Sequence, residues 1–293
     1  MTQATATAVV HDLIGVGFGP SNIALAIALQ ERAQAQGALE VLFLDKQGDY
    51  RWHGNTLVSQ SELQISFLKD LVSLRNPTSP YSFVNYLHKH DRLVDFINLG
   101  TFYPCRMEFN DYLRWVASHF QEQSRYGEEV LRIEPMLSAG QVEALRVISR
   151  NADGEELVRT TRALVVSPGG TPRIPQVFRA LKGDGRVFHQ LSVEIYDAVI
   201  LATGYERQLH RQLLEPLAEY LGDHEIGRDY RLQTDERCKV AIYAQGFSQA
   251  SHGLSDTLLS VLPVRAEEIS GSLYQHLKPG APARALHEHA LAS

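Results

Sequence analysis

The sequence has few of the residues that commit a chain to metal or thiol chemistry. It contains only two cysteines, Cys105 and Cys238, which lie far apart and form no C-x-x-C pair. A disulfide-exchanging flavoenzyme is therefore disfavoured. The 12 histidines are scattered and form no Ser-His-Asp set or ligand cluster. We therefore predict no metal site and no catalytic side chain of these kinds.

Long apolar runs and an excess of positive charge are missing as well. No run approaches the ~18 apolar residues of a membrane span, and the first residues lack a basic secretory segment. A net charge of −6 gives no reason to propose nucleic acid or an anionic membrane as a partner. With 44% hydrophobic and 21% charged residues, the composition is typical of a globular protein. We expect a cytoplasmic protein without a transmembrane segment.

The most informative feature present is a glycine-rich turn near the start of the chain. An apolar, β-prone run, Val9–Gly15, leads into GVGFGP (15–20), and the segment Ser21–Gln36 is rich in helix-forming residues. Such a turn between a strand and a helix lets backbone N–H groups face a pyrophosphate. The pattern predicts a nucleotide cofactor, and it occurs only once.

An acidic residue follows at the position that this motif requires. Asp45 closes a second apolar strand, Leu39–Leu44, about 26 residues after Gly19, near the roughly 20 expected for a ribose-binding carboxylate. A carboxylate there disfavours a 2′-phosphate, so FAD or NAD is favoured over NADP. Pro20 stands where the strict pattern has glycine, and proline is tolerated in the first turn of a helix. A glycine turn that binds nothing is the alternative.

The remaining chain predicts an α/β fold. Short apolar runs without alternation suit a parallel sheet that is covered on both faces. Three β-rich segments that precede the apolar run at 163–167 suit a small antiparallel meander. The predicted elements after the βαβ start at 9–45 are an irregular stretch over 46–80, a helix containing Phe83, Tyr86 and Leu87, a helix over 108–121, meander strands at 130–133, 144–148 and 157–161 with a turn at 151–154, apolar strands at 163–167, 197–205 and 240–245, and a final helix over 256–277.

Six phrases of the sequence resemble the microbial N-hydroxylating flavoprotein monooxygenases. They are GVGFGPSN (15–22), YRWHGNTLV (50–58), LQISFLKDLVSLRNPTSPYSFVNYL (63–87), ALVVSPGGTPRIP (163–175), DAVILATGY (197–205) and HGLSDTLLS (252–260). The resemblance is strongest to members that hydroxylate L-ornithine at N5 for the hydroxamate siderophore pyoverdine. It implies a Rossmann-like FAD-binding parallel sheet with helices on both faces. It also implies that NADPH reduces FAD and that a C4a-hydroperoxyflavin formed with O₂ hydroxylates the side-chain amine.

The chain departs from this family in one large respect. The family carries an NADPH-binding domain inserted into the FAD domain, with its own glycine-rich turn, and no second G-x-G-x-x-G occurs here. A segment on the order of 150 residues, the size of a domain, is expected to be absent between Gln190 and Leu191. We therefore predict a single FAD-binding domain over 1–293, with 1–190 as its N-terminal part and 191–293 as its C-terminal part.

The resemblance also implies roles for individual residues. The flavin mediates the chemistry, so no catalytic side chain is assigned. Residues implied to bind the cofactor are Gly15, Gly17, Gly19, Pro20, Ser21, Asp45, Trp52, His53, Gln64, Val130, Gly204, Thr257, Leu258, Leu259 and Ser260. Residues implied to bind the substrate are Gln64, Lys69 and Ser260. We expect Thr257–Ser260 in the first turn of the final helix, where N–H groups can stabilise negative charge on reduced flavin.

Three functions remain open from the sequence. The chain could be an ornithine N-hydroxylase that retains activity, a non-catalytic FAD-binding module, or a flavin-dependent amine oxidase. The motifs favour the first, and the expected loss of the NADPH-binding domain favours the second, with turnover by this chain impaired. Nothing beyond the FAD site favours amine oxidation. Ornithine is chosen over lysine by resemblance alone, and self-association through an exposed sheet edge is also left open.

Overall fold

The structure is a computed structural model that describes residues 9–52, 57, 61–173, 176 and 204–278. The strands in these residues are β1 (Val10–His11), β2 (Leu13–Val16), β3 (Val41–Asp45), β4 (Ser124–Tyr126), β5 (Glu129–Ser138), β6 (Gln141–Arg150), β7 (Glu156–Thr161), β8 (Ala163–Val166), β9 (Thr171–Pro172), β10 (Tyr205–Glu206) and β11 (Ala241–Ala244). The α-helices are Pro20–Gln36, Phe83–Lys89, Leu93–Asn98, Arg106–Ser118, Leu209–Leu213, Ala218–Leu221, Gln249–His252 and Leu262–Leu277. Short 3₁₀ turns occupy Phe67–Lys69, Gln121–Gln123, Glu215–Leu217, Leu254–Thr257 and Leu259–Val261.

A five-stranded parallel sheet forms the centre of the molecule. Its strand order is β11-β8-β2-β3-β4, and every neighbouring pair is parallel. All residues of β2, β3, β8 and β11 are buried, as the unbroken apolar runs predict for a sheet covered on both faces. The predicted α/β class is therefore confirmed.

The two faces of this sheet are covered differently. The helices Pro20–Gln36 and Leu262–Leu277 pack against each other and contribute to the hydrophobic core on one face. The core on the other face contains residues of a second sheet, with strand order β1-β7-β6-β5, and of the short helical segments within 209–221. No helix in the described part of the chain is long and apolar enough to cross a membrane.

The predicted meander is present, and its first two strands are longer than the sequence indicated. Strands β5, β6 and β7 pair antiparallel, and the turn at 151–154 joins the last two as expected. The predicted strand Val9–Gly15 is wrong as a single element. It is divided at Asp12, so that β1 pairs with β7 and β2 enters the parallel sheet. The division is stabilised by Asp12, whose carboxylate accepts a hydrogen bond from the Glu40 backbone N–H at 2.9 Å.

The final helix starts later than the sequence indicated. It begins at Leu262 rather than Asp256, because Pro263 is compatible with only the first turn of a helix. Residues 254–261 form two 3₁₀ turns instead. The helix predicted over 108–121 spans Arg106–Ser118. Of the strand predicted over 197–205, residues 197–203 lie outside the described residues, and Tyr205 belongs to β10, which pairs antiparallel with β9.

Candidate cofactor site

A cavity of about 410 Å³ opens where the parallel strands end. Its lining includes residues at or just after the carboxyl ends of β2, β3, β8 and β11, which is where open α/β sheets bind ligands. Ten of the residues proposed from the sequence for cofactor binding line this cavity: Gly17, Gly19, Pro20, Ser21, Asp45, Trp52, Val130, Thr257, Leu258 and Leu259.

The three glycines of the turn have different local reasons to be glycine. A Cβ on Gly15 would lie 2.3 Å from the Phe43 ring, so Gly15 permits close packing of β2 on β3. Gly17 has φ +85°, and a Cβ there would lie 2.5 Å from the Ser167 carbonyl oxygen. Around Gly19 a Cβ would meet nothing within 4 Å, although Gly19 lines the cavity. Gly15 and Gly17 therefore serve the fold, whereas Gly19 leaves space beside the cavity.

The helix Pro20–Gln36 begins at this space. Gly19 is its N-cap residue, and no side chain caps the helix. The first N–H groups of a helix have no partner within it, and they form a partly positive end. No acidic residue lies in the first turn to offset that charge. The helix end therefore suits an anionic group such as a pyrophosphate.

Asp45 lines the cavity, and both of its carboxylate oxygens already accept backbone hydrogen bonds. Oδ2 accepts from the N–H of Phe18 at 2.7 Å, and Oδ1 accepts from the N–H of Gln47 at 2.8 Å. The buried carboxylate thereby fixes the glycine turn to the end of β3. Each oxygen retains a further lone pair, so binding of ribose hydroxyls stays a prediction.

Trp52 and the segment Thr257–Leu259 form other parts of the cavity wall. The Trp52 backbone N–H donates to Asn110 Oδ1 at 3.1 Å, and the Arg106 guanidinium lies 5.0 Å from the Trp52 ring centre. Thr257 ends one 3₁₀ turn and Leu259 begins the next, with Leu258 extended between them. The placement of Thr257–Ser260 in the first turn of the final helix is therefore wrong, because that helix starts at Leu262.

Five residues proposed from the sequence are not part of the described cavity wall. Gly15 lies beneath the turn, and His53 lies outside the described residues. Gly204 has φ +76°, and its carbonyl accepts a hydrogen bond from the Arg173 N–H at 2.9 Å. Gln64 is exposed, and Ser260 follows the lining residue Leu259.

Lys69 also lies outside the cavity wall, but its turn contacts the turn that contains Ser260. It ends the turn Phe67–Lys69, which contacts the turn Leu259–Val261. Its side chain is exposed and has no ionic partner among the described residues. Of the three residues proposed for substrate binding, Lys69 and Ser260 therefore belong to neighbouring turns beside the cavity.

Gln245 and Arg265 are among the polar residues of the cavity wall that sequence reasoning missed. Gln245 donates through Nε2 to Asn22 Oδ1 at 2.7 Å, and Asn22 donates to the Gly17 carbonyl at 2.6 Å. Arg265 donates to Ser21 Oγ at 3.0 Å. Gln245 follows β11 directly, so its position after an apolar strand was a usable signal. Arg265 carried no such signal, because its partner lies in a remote part of the sequence.

These residues fit a dinucleotide with a pyrophosphate. The space at Gly19 and the uncapped helix suit the anion, while the apolar Val130, Leu258 and Leu259 suit planar rings. Gln245 Oε1 is buried without a partner in the described part of the chain, as expected for a group that a ligand completes.

Sequence comparison relates the chain to a family of amino-acid monooxygenases. The sequence profile of the L-lysine 6-monooxygenase/L-ornithine 5-monooxygenase family matches residues 9–195. The chain is 65% identical to an L-ornithine N(5)-monooxygenase of Pseudomonas aeruginosa, in an alignment of 443 positions that spans all of both chains. An L-ornithine N(5)-oxygenase of Arthrobotrys oligospora is 30% identical, over 90% of this chain and 88% of that protein.

Solved structures of ornithine hydroxylases resemble this one. The ornithine hydroxylase of Pseudomonas aeruginosa matches with a TM-score of 0.86 and 64% identity, over 92% of this chain and 100% of that one. An ornithine N-hydroxylase of Kutzneria sp. 744, solved with reduced FAD, NADP⁺ and L-ornithine, matches with a TM-score of 0.78 over 91% of this chain and 99% of its own, and at 24% identity it supports the fold alone. The family resemblance carried by the six sequence phrases is thus confirmed, and the chain belongs to the L-lysine 6-monooxygenase/L-ornithine 5-monooxygenase family.

Proposed function

We propose that this chain binds FAD in the cavity and is the flavin domain of an L-ornithine N5-monooxygenase of siderophore biosynthesis. The observation that carries the proposal is the convergence of ten family-matched residues on one cavity at the ends of the parallel strands. The 65% identity to an L-ornithine N(5)-monooxygenase supports the choice of substrate. When bound, FAD supplies the redox chemistry with NADPH and O₂ that protein side chains cannot supply.

The protein's own residues bind and orient. We infer that Gly19 and the first turn of the helix Pro20–Gln36 receive the pyrophosphate, and that Trp52, Val130 and Thr257–Leu259 enclose the rest of the cofactor. Lys69 is proposed to bind the α-carboxylate of ornithine, because its exposed ammonium has no ionic partner among the described residues. Ser260 belongs to the turn Leu259–Val261, which contacts the turn that ends at Lys69.

We further propose that the NADPH-binding domain is absent at the junction of Gln190 and Leu191, which lies outside the described residues. Two observations support this. The alignment with the Pseudomonas aeruginosa enzyme has 443 positions, whereas this chain has 293 residues, and the sequence contains a single glycine-rich turn. Reduction of the flavin by NADPH is then expected to be severely impaired. A non-catalytic FAD-binding module is the second candidate, and the same alignment favours it.

An anaerobic reduction experiment tests these proposals. The FAD-loaded chain and the Pseudomonas aeruginosa enzyme would receive NADPH or dithionite, and the oxidised flavin band would be followed before air and ornithine are admitted. We expect this chain to bind FAD, and we expect its flavin to be bleached by dithionite but not by NADPH. The flavin of the Pseudomonas aeruginosa enzyme should be bleached by both. Rapid bleaching by NADPH with normal formation of N5-hydroxyornithine would contradict the missing domain. Failure to bind FAD would contradict the whole proposal.

The substrate role of Lys69 has a separate test. Lys69→Ala should weaken ornithine binding about 10- to 100-fold, the usual cost of losing a hydrogen bond to a charged group. FAD affinity should not change, because Lys69 does not line the cavity. Isothermal titration of the FAD-loaded protein with ornithine measures the first effect, and flavin fluorescence measures the second. Lys89→Ala, at the end of the helix Phe83–Lys89, is the matched control. Loss of both affinities would indicate that Lys69 is structural.

A further inference from the structure

A buried cation connects the first turn of the helix Pro20–Gln36 with a segment more than 200 residues later. Arg265 is 2% exposed, and its guanidinium donates to Ser21 Oγ at 3.0 Å. The same guanidinium donates to the Asp256 carbonyl at 2.7 Å and to Asp256 Oδ1 at 3.1 Å. Arg265 therefore bridges two segments that both reach the cavity, one through Ser21 and the other through Thr257.

The buried pair of Arg265 and Asp256 contributes little net stability if its only role is in the fold. Burying an ion pair costs desolvation that its attraction often only offsets, and a well-packed apolar pair is frequently as stable. Burial also lowers the pKa of Arg265 from its ordinary value, and the Asp256 carboxylate opposes that shift. Arg265 Nε is buried and has no partner among the described residues, so the guanidinium is not fully satisfied. Stability alone gives little reason for this residue.

The geometry offers a reason in the spacing of the two segments. Asp256 is itself held, since its Oδ2 accepts the Ser248 N–H at 2.9 Å, and this fixes the turn Leu254–Thr257. The Arg265 guanidinium then sets the distance from that turn to Ser21. Its planar array of donors can bond two acceptors at once in fixed directions, which a lysine cannot reproduce. Because Asp256 offsets the charge, position rather than net charge is what Arg265 contributes to the cavity.

We propose that Arg265 is a positioning residue for the dinucleotide: it holds the first turn of the helix Pro20–Gln36 and the turn Leu254–Thr257 at the spacing at which both contact one bound FAD. The inference rests on the proposed FAD site and adds to it the residue that couples its two sides. A ligand that spans both segments should depend on this coupling.

Titration of the purified apoprotein with FAD, followed by flavin fluorescence, tests the coupling. Arg265→Met should weaken FAD binding about 10- to 100-fold, and Ser21→Ala should weaken it about threefold or more. The double variant should lose less affinity than the sum of the two single losses, since both changes break the contact between Arg265 and Ser21. Arg265→Lys should recover only part of the affinity. Arg228→Met, an exposed arginine that pairs with Glu268 on the helix Leu262–Leu277, is the control and should bind FAD normally.

Thermal unfolding of each apoprotein separates positioning from folding. A merely structural Arg265 would lower the melting temperature without changing the FAD affinity of the folded fraction, and additive losses in the double variant would likewise overturn the coupling. If Arg265→Met does not fold, unchanged affinity in both Ser21→Ala and Arg265→Lys would overturn it. A wild-type chain that binds no FAD would refute the proposed function itself, whereas normal binding by wild type and variants alike would refute only the role of Arg265.

Discussion

Gly17 and Gly19 lie two residues apart in the same turn, but a side chain at each would meet different surroundings. Gly17→Ala should destabilise the apoprotein by about 1–3 kcal/mol. The residue has φ +85°, and its new Cβ would lie 2.5 Å from the Ser167 carbonyl, where backbone must move. Urea denaturation of the apoprotein measures the change. A free energy of unfolding equal to that of wild type would contradict the structural role of Gly17.

Gly19→Ala is the matched control in the same turn. Gly19 has φ −84°, and a Cβ there would have no atom within 4 Å. The free energy of unfolding of Gly19→Ala should therefore lie within about 0.5 kcal/mol of the wild-type value. FAD affinity should nevertheless fall, because the new methyl group would occupy the space through which a pyrophosphate approaches the helix. Equal FAD binding by wild type and Gly19→Ala would remove Gly19 from the proposed site.

At the scale of elements, the short helix Leu209–Leu213 contains a histidine that should make stability depend on pH. His210 is buried, its ring centre lies 4.1 Å from that of Phe247, and its Nδ1 has no partner in the described part of the chain. Burial, with the charges of His224 and Arg211, lowers the pKa of His210 to about 4. The unfolded chain, with a histidine pKa of about 6.5, therefore binds a proton that the folded chain does not.

The free energy of unfolding should accordingly be greatest above about pH 6.5 and should decrease as the pH falls towards about 4. Urea unfolding at several pH values would measure this, and His210→Leu should flatten the dependence. Some slope should remain, because burial also lowers the pKa of His11, His224 and His276. Exposed His88, changed to Gln, is the control and should leave the slope as in wild type. An unaltered slope in His210→Leu would refute the prediction.

The elements that the sequence predicted correctly are those whose signal is local. Strands β3, β8 and β11 follow from unbroken apolar runs, and the turn at 151–154 follows from its own residues. The helix Leu93–Asn98 was missed because it has six residues, and two of its apolar side chains, Val94 and Ile97, are exposed. The final helix starts later than its helix-forming residues indicate, because Pro263 is compatible only with the first turn of a helix.

The residues of the candidate site also divide into those with a local sequence signal and those without one. The glycine turn and Asp45 could be found because strand, turn and helix are adjacent in the sequence. The contacts of Gln245 with Asn22 and of Arg265 with Ser21 join residues that are 223 and 244 positions apart. No local pattern reports which remote segment will reach the first turn of a helix. The packing of Leu262–Leu277 on Pro20–Gln36 brings Arg265 to Ser21, and the sheet order β11-β8-β2 brings Gln245 to Asn22.

At the scale of the whole molecule, the proposed function separates binding of the flavin from its reduction. The residues proposed to bind FAD are in this chain, whereas those that would bind NADPH are proposed to be missing at Gln190–Leu191. Inserting the corresponding segment of the Pseudomonas aeruginosa relative at that junction should therefore leave FAD affinity unchanged and introduce bleaching of the flavin by NADPH. Domains of this size generally fold as units, and their boundaries tolerate insertion, which makes the chimera a fair test.

Dithionite is the internal control for this chimera, because it should bleach the flavin of both proteins. Bleaching by NADPH in the chimera alone would identify the segment as the missing electron-input domain. Equal bleaching by NADPH in the uninserted chain would show that reduction does not need the segment. A chimera that binds FAD but is bleached only by dithionite would also contradict the proposal. In that case the cofactor site would be intact, and the added segment would still not deliver electrons to the flavin.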